Sequence, residues 1–214
     1  MKKFTLKKNR YRLALAALVT VVVPIVATWP ASGQTSVVID PVGDVDHHAP
    51  AFQDIVRGEI QKKGGSFILR MEMAGPIPGN PPLPQPANAQ IWWAWAFDLD
   101  PTTTPKGYPF APGDKVLTEF LVYVSWDGEE FRGYALDRRP LLTGGSAIVT
   151  PVPFSIDGAI VEAVLASALI GNPSSFRWGV RAIDVSSHVG TGAINPVDSA
   201  PDFVGPTPGY MPFP

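Results

Sequence analysis

An antiparallel β-sandwich of eight or nine strands with little helix, of Greek-key or jelly-roll type, is the fold class this 214-residue sequence predicts. Three observations predict it. The chain holds 20 glycines and 24 prolines, about a fifth of its length, which is too many helix breakers for a bundle or coiled coil. Apolar and polar residues alternate in short runs instead of recurring at the 3.6-residue helical period. Candidate strands return every 10 to 20 residues or so, leaving no room for the helix that a parallel βαβ crossover needs. With 45% hydrophobic and 17% charged residues, the chain can bury enough apolar surface to offset its ordering entropy, which argues against disorder.

The first 33 residues read as an export signal. They carry six of the 17 basic residues (Lys2, Lys3, Lys7, Lys8, Arg10, Arg12) and no acid, then an apolar run over 13–27, then Ala31 and Gly33 spaced for a signal peptidase, with cleavage expected after Gly33. The apolar run is interrupted by Pro24 and falls short of the roughly 20 residues that cross a bilayer; an anchor retained at this position is the alternative. No second stretch of spanning length follows, so the reading is a signal peptide over 1–33 and one domain over 34–214, extracytoplasmic and without a membrane partner after cleavage. Removing the leader leaves 11 basic against 19 acidic residues, a net charge of -8 that repels phosphate and excludes nucleic acid as an electrostatic partner. There is no cysteine, so stability must come from the core and from any bound metal.

Taken in order, 54–61 and 66–73 alternate around Gly64 and Gly65 and predict a hairpin. Six prolines between 76 and 86 predict an extended loop inside the domain. The run 91–98 is apolar on both faces, with Ile91, Trp93, Trp95 and Phe97 on one and Trp92, Ala94 and Ala96 on the other, which predicts a central strand. A second hairpin over 117–126 and 131–137 turns at Asp127 and Gly128, and shorter strands are expected at 147–150, 152–156, 159–164 and 176–185. Only 165–170 reads as helical, for one or two turns.

This order of features resembles the exported β-sandwich modules called CBM9-like and DOMON-like. The residues that carry the resemblance are Asp40, Pro41, Val42, Gly43 and Asp44, Asp54 and Ile55, the strand ending at Phe97, Asp98, Leu99 and Asp100, the Asp127–Gly128 turn, the short segment 165–171 before the Trp178 strand, and Asp198 to Pro201. The resemblance implies a sandwich, sugar binding or, in some DOMON members, haem binding, and a calcium ion tying the chain ends together. Met71 or Met73 with His188 could formally supply a haem's axial pair, whereas methionine on a strand is ordinarily core packing.

The aspartates at strand ends suit calcium, which takes six to eight oxygens in irregular geometry. The candidate ligands are Asp40, Asp44, Asp54, Asp198 and Asp202, with Asp98 and Asp100 as further oxygen donors, although 98–109 lacks the turn glycine and final glutamate of an EF-hand. The competing reading is that these aspartates only cap turns. For a sugar, Trp92 and Trp126 are the candidate stacking platforms, with Arg70 and Arg132 as polar partners and Glu72 and Arg181 beside them; the competing reading is a tryptophan core and a solvated sheet face. His47 and His48 point opposite ways on an extended chain and make no chelate. No nucleophile elbow, metalloprotease helix or phosphate loop occurs, and Glu129 and Glu130 share a hairpin tip instead of flanking a cleft, so a catalytic reading has no support. Two functions remain: a non-catalytic module for a polysaccharide or cell-surface glycan, and a cell-surface or assembly protein that meets another protein.

Overall fold

The period-two patterning folds into two antiparallel sheets packed face to face. The computed structural model describes residues 33–45, 49–83, 89–100, 107–109, 117–188, 191–201, 203–204, 207–208 and 210–214. The expected leader before residue 33, His47, His48 and Asp202 lie outside them. Strands β1 to β4 span Thr35–Ile39, Ile55–Lys63, Ser66–Met73 and Ala89–Asp98. The two-residue strands β5 (Tyr108–Pro109) and β6 (Leu117–Thr118) pair with each other, and β7 to β9 span Phe120–Trp126, Phe131–Asp137 and Ile148–Pro151. Next come β10 (Phe154–Asp157), β11 (Ile160–Ala166), β12 (Phe176–His188) and β13 (Thr191–Ala200), then the small pair β14 (Phe203–Val204) and β15 (Thr207–Pro208), and β16 (Met211–Phe213).

One sheet has five strands in the order β1-β2-β3-β11-β10; the other has seven, in the order β13-β12-β4-β7-β8-β9 with β16 also on β12. All nine expected strand segments are present. The count of eight or nine is nevertheless low, because β1, β13 and β16 also join the sheets. β16 is only Met211, Pro212 and Phe213, and β13 contains Pro196 beside a register shift opposite Ala182 and Ile183, where an irregular ladder tolerates a missing donor. The segment expected as helical is a 3-10 turn over Ser167–Ile170, and a second covers Arg139–Thr143.

Both hairpins form. Lys63 pairs with Ser66 across a two-residue turn in which Gly64 takes φ +59, and the Asp127 carboxylate accepts the backbone N–H groups of Glu129 and Glu130, each at 3.0 Å. β4 is central, between β12 and β7. Ile91, Trp93, Trp95 and Phe97 enter the inter-sheet core against Phe67, Leu69 and Met71, while Ala94 and Ala96 join a second apolar cluster on the other face of the sheet. Core indoles keep their N–H groups bonded: Trp93 donates to the Phe52 carbonyl at 3.0 Å and Trp178 to Ser36 Oγ at 2.9 Å. At Gly58 the sheets approach so closely that a Cβ would lie 2.9 Å from a Val38 methyl and 3.0 Å from one of Val180. Among the described residues no helix is long and apolar enough to cross a membrane.

Candidate functional site

Two places hold the chemistry expected of the aspartates and the tryptophans. At one end of the sandwich, Asp40 follows β1 and Asp44 follows the turn after it, while Asp54 precedes β2 and Asp198 sits on β13. The turn is held by a carboxylate from the start of β2, since Gly43 N donates to Asp54 Oδ2 at 2.9 Å. Asp198 Oδ2 accepts Ile55 N at 2.5 Å, and its Oδ1 accepts Ser199 N at 2.7 Å. These bonds bring one carboxylate oxygen each of Asp40, Asp44 and Asp198 within 4.8 Å of one another.

Two ligands of one calcium, each about 2.3 to 2.6 Å from it, lie at most about 4.6 to 5.2 Å apart, so the triad has the span that such an ion requires. Burial and electrostatics agree. Asp40, Asp54 and Asp198 are 5%, 5% and 7% exposed, and Asp54 Oδ1 is buried without a hydrogen-bond partner among the described residues. Burial pushes the Asp198 carboxyl up to about 6, and the negative charges of Asp44 and Asp54 push the same way. Carboxylates gathered out of water repel one another, and a divalent cation at the triad would relieve that repulsion. Asp98 and Asp100 stand elsewhere: Asp98 is paired with Arg177, and Asp100 lines a separate cleft.

The tryptophan candidates divide between the two sides of the seven-stranded sheet. Trp92 lies on its outer face, half-buried, stacked on Tyr123 at 4.3 Å with 15° between the rings, and Tyr134 continues the row 5.7 Å from Tyr123. The Trp92 indole donates to Gln90 Oε1 at 2.8 Å. Burial, helped by Tyr134, raises the Tyr123 phenol above its ordinary pKa. Trp126 is a correction. It is 4% exposed, faces the core with Phe120, Val122 and Val124, and donates to the Pro81 carbonyl at 3.0 Å beneath the proline-rich loop, so it presents no ring to a sugar.

The expected polar partners are split as well. Arg132 shares the outer face with Trp92: Trp92 pairs with Ser125 and Ser125 with Arg132, which places the arginine two strands away, on the order of 10 Å. It is held by Glu130 and, at 3.5 Å, by Asp127. Arg70 points outward from the five-stranded sheet, on the opposite side of the sandwich, where it pairs with Glu162 at 2.6 Å. Arg70 and Trp92 therefore cannot grip one small ligand. Arg181, expected to stand in solvent, is 3% exposed on the same strand as Ile183.

Tyr123 and Tyr134 were not anticipated, although the alternation that sends Val122 and Val124 inward sends Tyr123 outward, opposite Ala94 and beside Trp92. No family model, curated protein or solved structure matches this chain.

Proposed function

We propose that the protein is an exported, non-catalytic, carbohydrate-binding module whose first and last segments are joined by calcium. The row Trp92, Tyr123 and Tyr134 on the outer face of a rigid sheet is the observation that carries this reading. The apolar C–H faces of a pyranose suit aromatic surface, and its hydroxyls need donors and acceptors of the kind that Gln90, Ser125 and Arg132 supply on the same face. One face of the Trp92 indole is taken by Tyr123, so a saccharide would meet the row through the remaining aromatic surface. Calcium at Asp40, Asp44, Asp54 and Asp198 would hold the end of the sandwich by its charge and take no part in sugar contact. Asp202 belongs to the same expected set and lies outside the described residues.

A glycan array probed with the purified protein, with and without calcium, tests the reading alongside Trp92→Ala and Tyr123→Ala. Binding to one class of polysaccharide that both substitutions abolish supports it; a blank array in both conditions overturns it.

One observation favours the assembly reading as the second choice. Ile148 and Val149 are each 54% exposed on β9, the edge strand of the seven-stranded sheet, and an edge carrying bare β-branched residues invites pairing with another chain. Concentration-dependent oligomers that Val149→Lys disperses, together with a blank array, would decide for it.

A further inference from the structure

The four edges of the two sheets are guarded unequally. Among the described residues, β1 is met by β16, whose Pro212 carbonyl accepts Ser36 Oγ at 2.9 Å, β13 carries Pro196, Asp198 and a register shift, and β10 ends on the exposed carboxylate of Asp157. Each device keeps an edge from pairing with another chain. The edge of β9 carries no charge, and its ladder with β8 runs without a register shift. Residues 140–156 hold no Lys, Arg, Asp or Glu, while Ile148 and Val149 stand out in solvent.

The backbone groups that β9 turns outward follow from its pairing with β8. Val152 N donates to the Gly133 carbonyl at 3.0 Å, and in an antiparallel ladder every second residue points its N–H and C=O at the same neighbour, so Thr150 and Ile148 also face β8. Val149 and Pro151, with Ala147 just before the strand, face away. Pro151 offers a carbonyl and no N–H, so an added strand must bring a donor opposite it and ask for none. A second copy of β9 meets that condition in one register. With a two-fold axis at Val149, that residue exchanges both backbone bonds with its counterpart, and Ala147 N–H on each copy donates to the other copy's Pro151 carbonyl. Moving the axis to Thr150 sets Val149 against Pro151 and loses a donor from each pair. Moving it to Ile148 sets Pro151 against Gly145, whose N–H already donates to the Pro140 carbonyl at 2.9 Å.

We propose that the protein self-associates through β9, edge to edge with β9 of a second copy and antiparallel across a two-fold axis at Val149. This deepens the assembly reading of that edge by naming its partner, and it stands whether or not the aromatic row takes a sugar. A charged peptide finds no complementary charge on 140–156, whereas an identical uncharged strand meets none that repels it, and Ile148, Val149 and Thr150 of the two copies cover one another. Because the contact is isologous, it closes at two copies. The paired residues are few and bury less than the roughly 800 Å² per partner of a standard interface, so the dimer is weak, with a Kd of about 10 μM to 1 mM. The axis stands perpendicular to the sheet, so both outer faces turn to the same side. Tyr134 lies one strand in from the edge, opposite Pro151, which sets the two Tyr134 backbones about 20 Å apart. A long polysaccharide that reached both aromatic rows would hold the pair together by avidity.

The chain has no cysteine, so single-cysteine variants report the pairing directly. Val149→Cys stands opposite its own counterpart across the axis, with Cα atoms about 5.5 Å apart and within reach of a disulfide. Ile148→Cys faces Thr150 of the second copy and lies about 8 Å from its counterpart, too far to bridge. Ile160→Cys, at an exposed position on the other sheet, measures random collision. Under mild oxidation of the purified variants, Val149→Cys should cross-link at least about tenfold faster than either of the others. Sedimentation equilibrium of the parent should show a mass that rises from one copy toward two as the concentration passes about 0.1 mM. Val149→Lys, which sets two ammonium groups against each other, should stay at one copy. A parent mass fixed at one copy up to about 1 mM, growth beyond two copies, or cross-linking of Ile148→Cys or Ile160→Cys as fast as Val149→Cys would each overturn the proposal. Single copies with a filled glycan array would remove the dimer and leave the carbohydrate reading intact; dimers with a blank array would do the reverse.

Discussion

Asp198 on β13 accepts a hydrogen bond from the backbone N–H of Ile55 at 2.5 Å, tying the start of β2 to a strand 143 residues further along the chain. The same carboxylate also belongs to the triad with Asp40 and Asp44, so one side chain serves both as a backbone acceptor and as a charge needing compensation. Substitution can separate the two roles. Asp198→Ala removes the acceptor and should cost about 1 to 3 kcal/mol in calcium-free protein, and more than that with calcium present, because a ligand is lost as well. Asp198→Asn removes the repelled charge but keeps only one of the two accepting oxygens and turns its NH2 toward the other backbone N–H, so the calcium-free variant should melt between Asp198→Ala and the parent. The parent should gain about 2.7 kcal/mol at a hundredfold excess of calcium over its Kd, whereas Asp198→Asn should gain far less. Melting temperatures of chelator-treated protein, read with and without millimolar calcium, check both; an unchanged parent would remove calcium from the site.

Stability should depend on pH with a sign set by the raised carboxyls. Burial lifts Asp198 to about 6 and also lifts Glu119 and Asp184, so the folded state holds protons that the unfolded chain, with pKa values near 4, has already released. Stability then falls as pH rises, mainly between about 4 and 6 for Asp198, and levels off above about 7. Asp127, lowered by the backbone N–H groups of Glu130 and Glu129, acts in the opposite direction only below about pH 4. Calcium-free protein should therefore melt higher at pH 5 than at pH 7.5. The increment from calcium should grow over the same interval, because the ion competes with protons. A flat profile from pH 5 to 7.5 without calcium would contradict the buried charge.

Trp126 and Trp92 should separate stability from binding. Trp126→Ala opens a core cavity beneath the proline-rich loop and should cost about 3 to 5 kcal/mol in urea unfolding. Trp92→Ala on the outer face should cost less than that and should abolish any glycan binding. If Trp126→Ala is the milder of the two, the assignment of faces is wrong.

The last strand should matter more than its length suggests. Phe213 on β16 is buried, stacked on Phe176 at 4.7 Å with 5° between the rings, and set edge-on to Phe67 from the opposite sheet. Ser36 Oγ donates to the Pro212 carbonyl at 2.9 Å and receives the Trp178 indole, which ties β1, β12 and β16 together. Phe213→Ala should lower the urea midpoint by the equivalent of about 3 to 5 kcal/mol, whereas Pro214→Ala, at an exposed position, should change it little.

Alternation and turn chemistry are local, and for that reason they were legible in the residues themselves. The Gly64 and Gly65 turn, the Asp127–Gly128 turn and the two apolar faces of β4 each specify a strand or a hairpin without reference to the rest of the molecule. The strands missed were those whose pairing is supplied from elsewhere. β16 carries little propensity of its own and is a strand because β12 offers it an edge, and β13 accepts Pro196 only beside its register shift.

For the candidate sites, the sequence determined which side chains share a face and the tertiary structure decided which faces meet. The shared phase of Phe120, Val122, Val124 and Trp126 put these four on one face without saying whether that face meets the core, and Trp92 likewise could be given a phase but no surroundings. Its stacking on Tyr123 depends on β4 pairing with β7 at that register. Asp40, Asp44, Asp54 and Asp198 were marked as candidates by residue type, yet Asp98 and Asp100 carried the same mark and belong to another end of the structure. Only the closure that brings β13 beside the start of β2 separates the two sets, because a separation of 143 residues is crossed by burying a shared core and not by any local preference.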